Sequence, residues 1–457
     1  MPDYDAVIIG TGQAGSPLAM RLAGSGMRVA IVERGLVGGT CVNTGCTPTK
    51  TLIASAHAAH MARRAAEYGI VIHGGVSADM QRVKARKDAV VEQSRRGLKA
   101  SLEQTERCTL LKGHARFLSS REVDAGGKSL KAERFFINVG ARAVVPALPG
   151  LDQVAYLTNT SMMALDTLPQ HLMIIGGGSV ALEFAQMYRR FGSAVSLVER
   201  GSRLIQREDE DVSQAVQDIL EDESIAVHLG TSCTGVARRG DEIAVTTEGA
   251  SGGAEITGSH LLLAVGRRPN TDDLGLDEAG VRRDEHGYVI VDDQLRTNIP
   301  GIWALGDCNG RGAFTHTAYN DFEIVAVNLL DDDPRRVSDR VPAHALYTDP
   351  PLGRAGMTEA EARQSGRRVL VGQRPMTRVS RAIEKGETQG FMKVLVDGDT
   401  KEILGASILG PGGDEVIHCV LDLMIAKAPY TVLQRAMHIH PTVSELLPTI
   451  LSALQPL

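Results

Sequence analysis

The chain has 457 residues, 43% of them hydrophobic, and a formal net charge of −6. Such a length suggests roughly three domains with ample core, and the acid excess gives no electrostatic case for a nucleic-acid partner. Six cysteines are too few for a disulfide scaffold, no apolar run reaches a membrane-spanning length, and the opening MPDYDAVIIG lacks the charged start and apolar stretch of a secretory signal, so the expectation is a soluble cytoplasmic protein with no membrane partner.

Asp5 to Gly10 (DAVIIG) is a short apolar run of the kind that forms a buried parallel strand. Gly12 to Gly24 carries a helical pattern, and Met27 to Glu33 (MRVAIVE) is a second apolar strand ending in an acid. The junction reads Gly10-Thr11-Gly12-Gln13-Ala14-Gly15, a G-x-G-x-x-G between strand and helix. Gly10 permits the tight turn, Gly12 lets a pyrophosphate approach the backbone, and Gly15 lets the helix pack on the strand with its N-terminus toward the anion. Glu33 follows at about the twenty-residue spacing of an acid that binds a ribose hydroxyl. A dinucleotide site is expected here.

The next run, GGTCVNTGCTPTK (Gly38 to Lys50), holds Cys41 and Cys46. A cysteine pair in a chain without a secretory signal points to chemistry more than to a staple. Dithiol chemistry needs two sulfurs close enough to bridge and one held as thiolate. A helix N-terminus and a lysine such as Lys50 lower a thiol pKa, and Pro48 suits an early helical position. The pair is expected to be redox-active, whereas Cys108, Cys233, Cys308 and Cys419 are scattered and read as plain thiols. Residues 50 to 105 carry helical patterns, Phe135 to Gly140 (FFINVG) reads as a strand, and Val144 to Gly150 (VVPALPG) as a turn-rich boundary.

A second strand–turn–helix unit follows, with a strand over Leu172 to Ile175, a helix over Val180 to Phe191 and a strand over Ala194 to Glu199. Its turn is Gly176-Gly177-Gly178-Ser179-Val180-Ala181, with alanine at the third position, which that position allows. Glu199 favours an unphosphorylated ribose, while Arg200 directly after it could pair with a 2′-phosphate, so the two signals conflict. Leu261 to Gly266 (LLLAVG) and Trp303 to Asp307 (WALGD) read as further strand-to-turn elements. From about residue 340 the character changes: Phe391 to Val396 and Ile403 to Leu409 read as strands, with helical patterns around Asp414 to Lys427 and Pro441 to Leu451. Near the end, His440 and Glu445 lie in the run HPTVSE. A dithiol needs a proton partner near neutral pH, which histidine supplies, and a carboxylate can hold its ring.

Together these motifs resemble the pyridine nucleotide–disulfide oxidoreductases, the family of glutathione reductase, dihydrolipoyl dehydrogenase and mercuric reductase. The resemblance runs from Asp5 to about Leu447 and rests above all on GGTCVNTGCTPTK, WALGD and HPTVSE. It implies an α/β chain of two Rossmann-like dinucleotide-binding domains, for FAD and NAD(P), plus a C-terminal α+β dimerisation domain. The corresponding boundaries are 1–149 for the FAD-binding domain, 150–270 for the NAD(P)-binding domain, 271–338 for the remainder of the FAD-binding or central part, and 339–457 for the dimerisation domain.

The resemblance implies FAD at the first turn, with Gly10, Gly12, Gly15, Glu33, Thr40, Lys50, Ala115, Asp307 and Thr315 around it. It implies NADH or NADPH at the second, with Gly176, Gly178, Glu199, Arg200 and Gly266. Cys46 is then the thiol beside the flavin and Cys41 the one that attacks substrate. Lys50 and Glu183 resemble the pair between flavin and nicotinamide, and His440 with Glu445 the acid–base dyad contributed by the other subunit of a homodimer. The function implied is an NAD(P)H-dependent flavoprotein reductase acting on a disulfide. CTPTK, REDEDV (Arg207 to Val212) and TDPPLGRAGMTE (Thr348 to Glu359) are most similar to the mercuric-reductase-like branch, which includes the bacterial flavoprotein reductase of the hypochlorite response. Reduction of Cu(II) or Hg(II), and dihydrolipoyl dehydrogenation, are therefore alternatives.

Two departures matter. Mercuric reductases carry a vicinal cysteine pair near the C-terminus, and here the last cysteine is Cys419, so no resident metal ligands are expected. His316 stands in AFTHTAYNDF where relatives commonly have proline, and is expected near the flavin pyrimidine edge or the substrate side.

Overall fold

The computed structural model describes residues 3–249 and 252–457. In chain order the first region contains β1 (Tyr4–Ile9), α1 (Gly15–Gly24), β2 (Val29–Glu33), α2 (Gly39–Asn43), α3 (Cys46–Arg63), α4 (Met80–Gln104), β3 (Cys108–Lys112), β4 (Ala115–Ser119), β5 (Glu122–Ala125), β6 (Ser129–Ile137) and the short β7 (Ala141–Ala143). Strands β3, β2, β1 and β6 lie side by side and parallel. β5 and β4 extend the sheet antiparallel beyond β6. Residues Ala6 to Ile8 and Val29 to Ile31 are fully buried. Helices and strands cover both faces of such a sheet, which is why these strands read as unbroken apolar runs.

The second region holds a single-turn α5 (Asn159–Met162), β8 (His171–Ile175), α6 (Ser179–Phe191), β9 (Ala194–Val198), α7 (Glu210–Asp222), β10 (Ala226–His228), β11 (Thr231–Arg239), β12 (Glu242–Gly249), β13 (Gly252–Gly258) and β14 (His260–Leu263). Strands β10, β9, β8 and β14 form a parallel sheet, and β11 to β13 an antiparallel one. β15 (Arg267–Pro269) then pairs with β7, and β16 (Ile302–Ala304) adds to β6 in parallel, which returns the chain to the first sheet before α8 (Thr315–Leu330).

The C-terminal region contains β17 (Ala343–Leu346), β18 (Leu352–Gly356), α9 (Glu359–Gln364), β19 (Val369–Pro375), α10 (Ser380–Glu384), β20 (Phe391–Asp397), β21 (Ile403–Leu409), α11 (Gly413–Ile425), α12 (Tyr430–Gln434), α13 (Leu447–Leu451) and β22 (Gln455–Pro456). Its antiparallel sheet runs β17–β18–β21–β20–β19–β22. One apolar cluster joins all three regions: Leu52 and Ala56 of α3, Leu182 and Ala185 of α6, and Leu346, Leu352 and Leu409 of the C-terminal sheet. That shared core holds the cleft elements in fixed relation.

Three local expectations are corrected. The helix after the first turn begins at Gly15, not Gly12, because the preceding residues form the turn itself. The helical stretch expected over 50 to 105 is broken between Tyr68 and Met80, where Gly69, Gly74 and Gly75 fall; Asp79 then caps α4 by accepting from Arg82 N at 3.1 Å. The stretch Pro441 to Leu451 is regular helix only from Leu447. Thr442 Oγ1 donates to Ile439 O and accepts from Glu445 N, a local turn that competes with helix.

Candidate functional site

A cleft of about 1960 Å³ is lined by the first turn, α2 and the start of α3, α6, the start of α8 and the β17–β18 region. Its floor is the first glycine turn. A Cβ on Gly10 would fall within van der Waals contact of Asn138 O, and one on Gly15 would lie 2.6 Å from Asn138 Nδ2 as well as against Gly10 O. Side chains at either position are excluded by backbone, so the turn stays bare toward the cleft. α1 has no side-chain cap, which leaves its first N–H groups to face an anion. Glu33 Oε2 accepts from Thr11 N at 3.0 Å and from Thr11 Oγ1 at 2.6 Å, and Oε1 accepts from Gly35 N at 2.8 Å. The acid is thereby fixed at the end of β2. These residues fit a dinucleotide.

The thiols sit above that floor. Cys41 lies in α2 and Cys46 is the first residue of α3, so the tight link between two helices brings them together. Gly45 at that link cannot carry a side chain, because a Cβ would lie 2.9 Å from Thr40 O. Both are free thiols within hydrogen-bonding reach of each other. The bond from Cys41 pulls Cys46 down to about 6 against the cost of burial, helped by Thr315 and the charge of Lys50. Cys41 moves the other way: its partner's thiolate and burial keep it protonated. Thr315 Oγ1 lies 3.2 Å from Cys46 Sγ and donates to the thiolate. Lys50, one helical turn on, donates to Glu183 Oε2 of α6 at 2.7 Å.

The remaining expected residues fall into three groups. Gly12, Thr40, Ala115, Gly178, Gly266 and Asp307 line the cleft with those already named. Burial raises Asp307 above the usual carboxylate range, opposed by Arg267 at 3.5 Å. Gly176, Glu199 and Arg200 lie off the cleft, at the second turn. There a Cβ on Gly176 would meet Ala264 C at 2.8 Å, α6 has no side-chain cap, and Glu199 Oε1 accepts from Gly201 N at 2.7 Å. Arg200 is exposed and forms no hydrogen bond or ion pair among the described residues.

His440 and Glu445 form the third group. His440 Nδ1 lies 3.0 Å from Glu445 Oε2, and the ring is 72% exposed and away from this chain's own cleft. Met437 and Ile439 beside it are exposed as well. His316 lines the cleft, its Nε2 2.7 Å from Ala343 O and its ring stacked on Phe314, which also stacks on His344. Burial lowers its pKa, so the neutral ring ties α8 to β17.

Four residues that sequence reading passes over are built into the site. Thr11 anchors Glu33, Asn138 holds the first turn through Nδ2 to Gly10 O at 3.3 Å, Arg267 opposes Asp307, and Tyr347 sits on Lys50. Thr11 sits inside the glycine motif and Asn138 just past a strand end, which are weak signals; Tyr347 comes from a distant hairpin and has none.

The family described as pyridine nucleotide-disulphide oxidoreductase matches residues 4–321, and the dimerisation domain of the same family matches residues 342–450. The chain is similar to a probable pyridine nucleotide-disulfide oxidoreductase, RclA, of Escherichia coli (strain K12), with 35% identity over 99% of each chain. It is similar to a mercuric reductase of Streptomyces lividans, 35% identical over 97% of this chain and 94% of the other, and to a dihydrolipoyl dehydrogenase of Thermus scotoductus, 34% identical over 97% and 96%. Among solved structures it is similar to the HOCl-induced flavoprotein disulfide reductase RclA from Escherichia coli, with a TM-score of 0.90, 34% identity and coverage of 98% of this chain and 99% of that one. The Cu(II) complex of the same reductase gives a TM-score of 0.89 at the same identity and coverage.

Proposed function

The chain belongs to the pyridine nucleotide–disulfide oxidoreductase family, and from that premise we propose that electrons reach an external disulfide through Cys41 and Cys46. It is an NAD(P)H-dependent flavoprotein disulfide oxidoreductase. The observation that carries the proposal is the unequal thiol pair: Cys46 is held as thiolate at the cleft and Cys41 is held protonated beside it.

When bound, FAD at the first turn and a reduced nicotinamide at the second supply hydride transfer and two-electron storage. The first turn, Glu33, Asp307 and Thr315 would hold the flavin nucleotide, and the Lys50–Glu183 pair would supply a charged contact beside it. The domain limits 1–149, 150–270, 271–338 and 339–457 follow the same reading. Cys41, once its proton is removed, attacks one sulfur of the substrate disulfide, forming a mixed disulfide and releasing one thiolate. Cys46 then attacks Cys41 Sγ, which closes the Cys41–Cys46 disulfide and releases the second thiol. His440 of the partner subunit moves the protons at its Nε2, since Nδ1 is bonded to Glu445. The exposure of His440, and the dimerisation-domain match around it, support a homodimer with shared sites. At the second turn Glu199 suits NADH, and the unengaged Arg200 can accept the phosphate of NADPH.

The test is turnover of Cys41→Ser and Cys46→Ser with a panel of disulfides. Both are expected to lose disulfide reduction while keeping flavin reduction by NAD(P)H; retained disulfide turnover in either overturns the proposal. A second reading, metal-ion reduction, is favoured by relatives named a mercuric reductase and a Cu(II) complex. Among the described residues no cluster of three or more His, Cys, Asp or Glu is arranged to hold a metal, and the two thiols of the cleft are the route to be tested. Loss of Cu(II) reduction in Cys41→Ser supports that route, and its retention excludes the dithiol from it.

A further inference from the structure

The loop between β17 and β18 leaves the C-terminal sheet and enters the seam between α3 and α6. Tyr347 opens it. Its backbone N–H donates to Glu183 Oε1 at 3.2 Å, and its ring lies 4.3 Å from Lys50 Nζ. Lys50 uses the other oxygen, Glu183 Oε2. One residue thus touches both members of the ion pair, each at a place the pair does not itself occupy.

The loop is firmly seated. Asp349 N donates to Gln186 Oε1, and Gln186 Nε2 donates to Asp349 O, both at 2.8 Å. The Asp349 carboxylate takes Arg190 Nη1 at 2.5 Å and meets His57 Nδ1 at 2.7 Å. Lys50 and His57 lie two turns apart on one stripe of α3, and Glu183, Gln186 and Arg190 on one stripe of α6. Leu346 and Leu352, at the ends of the loop, are buried in the core shared with both helices. The Tyr347 ring therefore stands on a fixed support.

A lysine ammonium sits on a flexible four-carbon stem and can occupy many positions. Glu183 restrains it from one side only. We infer that Tyr347 is a positioning residue whose ring face holds the Lys50 ammonium where its charge acts on Cys46. This rests on the reading of Cys46 as the thiolate of the redox pair. The groups facing that thiol are Cys41 of α2, Lys50 of α3, Glu183 of α6, Thr315 of α8 and Tyr347 itself. Asp414 and Glu415 of α11 face the phenol, and burial keeps it protonated, so the ring face is the acting part.

The experiment is the pH dependence of Cys46 alkylation by iodoacetamide in the reduced, FAD-loaded protein, read by mass spectrometry. Y347F is expected to keep the parental midpoint. Y347L is expected to raise it, lowering the thiolate fraction on the acid side by about three- to tenfold, the size of a partly buried cation–π contact. K50M is expected to raise the midpoint by itself, and Y347L to add nothing in the K50M background. A parental midpoint in Y347L, or a full shift that persists with K50M, overturns the role. Y347M, which fills the space without a ring face, makes the same comparison if leucine disturbs folding. Should disulfide turnover persist in Cys46→Ser, the redox-pair reading fails first, before any tyrosine variant is compared.

Discussion

The two glycine turns share one pattern and are built in opposite ways. At the first, the acid ending the strand is bound to the turn itself, since Glu33 takes both the N–H and the hydroxyl of Thr11. At the second, Gly177 has no side chain to offer, and Glu199 is bound beyond the strand by Gly201 N and Gln206 Nε2. The third position differs too. Gly15 has no room for a Cβ, whereas Ala181 carries a fully buried one. A turn cross-linked to its acid is a preformed cradle that suits a resident cofactor. A turn that its acid touches at Gly177 but does not hydrogen-bond suits one that enters and leaves with every cycle.

The largest effect should separate the turns outright. Gly15→Ala forces a Cβ against Gly10 O and Asn138, and is expected to destabilise by about 1–3 kcal/mol and to strip most of the flavin. Gly178→Ala, whose Cβ would meet no protein atom within 4 Å, should leave stability within about 0.5 kcal/mol and raise the KM for nicotinamide instead, since the second glycine is where the pyrophosphate approaches the backbone. Flavin-to-protein ratios and thermal melts check the first, thermal melts and steady-state kinetics the second; equal tolerance at both positions breaks the comparison. Next in size is Thr11→Val, which removes the hydroxyl bonded to Glu33 and to Gly38 N. Losing a hydrogen bond to a charged group at about 1.5–3 kcal/mol predicts roughly ten- to hundredfold weaker FAD binding, measured by flavin release on dilution.

A third effect follows pH. The thiols belong to the first turn's cleft, and Cys46 sits at about 6. A lowered thiol is ionised above its pKa and loses its charge as pH falls through it, so labelling of Cys46 should drop about tenfold from its plateau by pH 5. The KM for NADH at the second turn, which has no thiol, should stay flat over the same range. Smallest is Arg200→Glu, at an exposed side chain. It is expected to raise the KM for NADPH by about two- to fivefold and to leave NADH unchanged, the scale of a solvent-screened pair. No difference between the two cofactors would remove Arg200 from the phosphate site.

Much of this was legible from local pattern. The strand β21 runs over Ile403–Leu409, as its apolar run predicts, and both glycine turns lie between strand and helix as their spacing requires. Spacing also put Cys41 and Cys46 on the same short link. The misses have a common cause. Pro441 to Val443 reads as helix because its composition permits it, but the Thr442 hydroxyl offers the backbone another set of bonds. Residues 69 to 79 read as helix in the same way, but Gly69 and Gly74 give the backbone other conformations there.

By itself the sequence determined the family and the two glycine turns and pointed to the candidate redox pair and proton dyad, because each is written in residues close together along the chain. Tertiary structure alone decided which thiol is ionised, how each acid is held, and that Tyr347 reaches Lys50. Those depend on contacts such as Thr315 to Cys46 and Tyr347 to Glu183, between residues more than 150 positions apart, whose meeting is set by how three regions pack on one core.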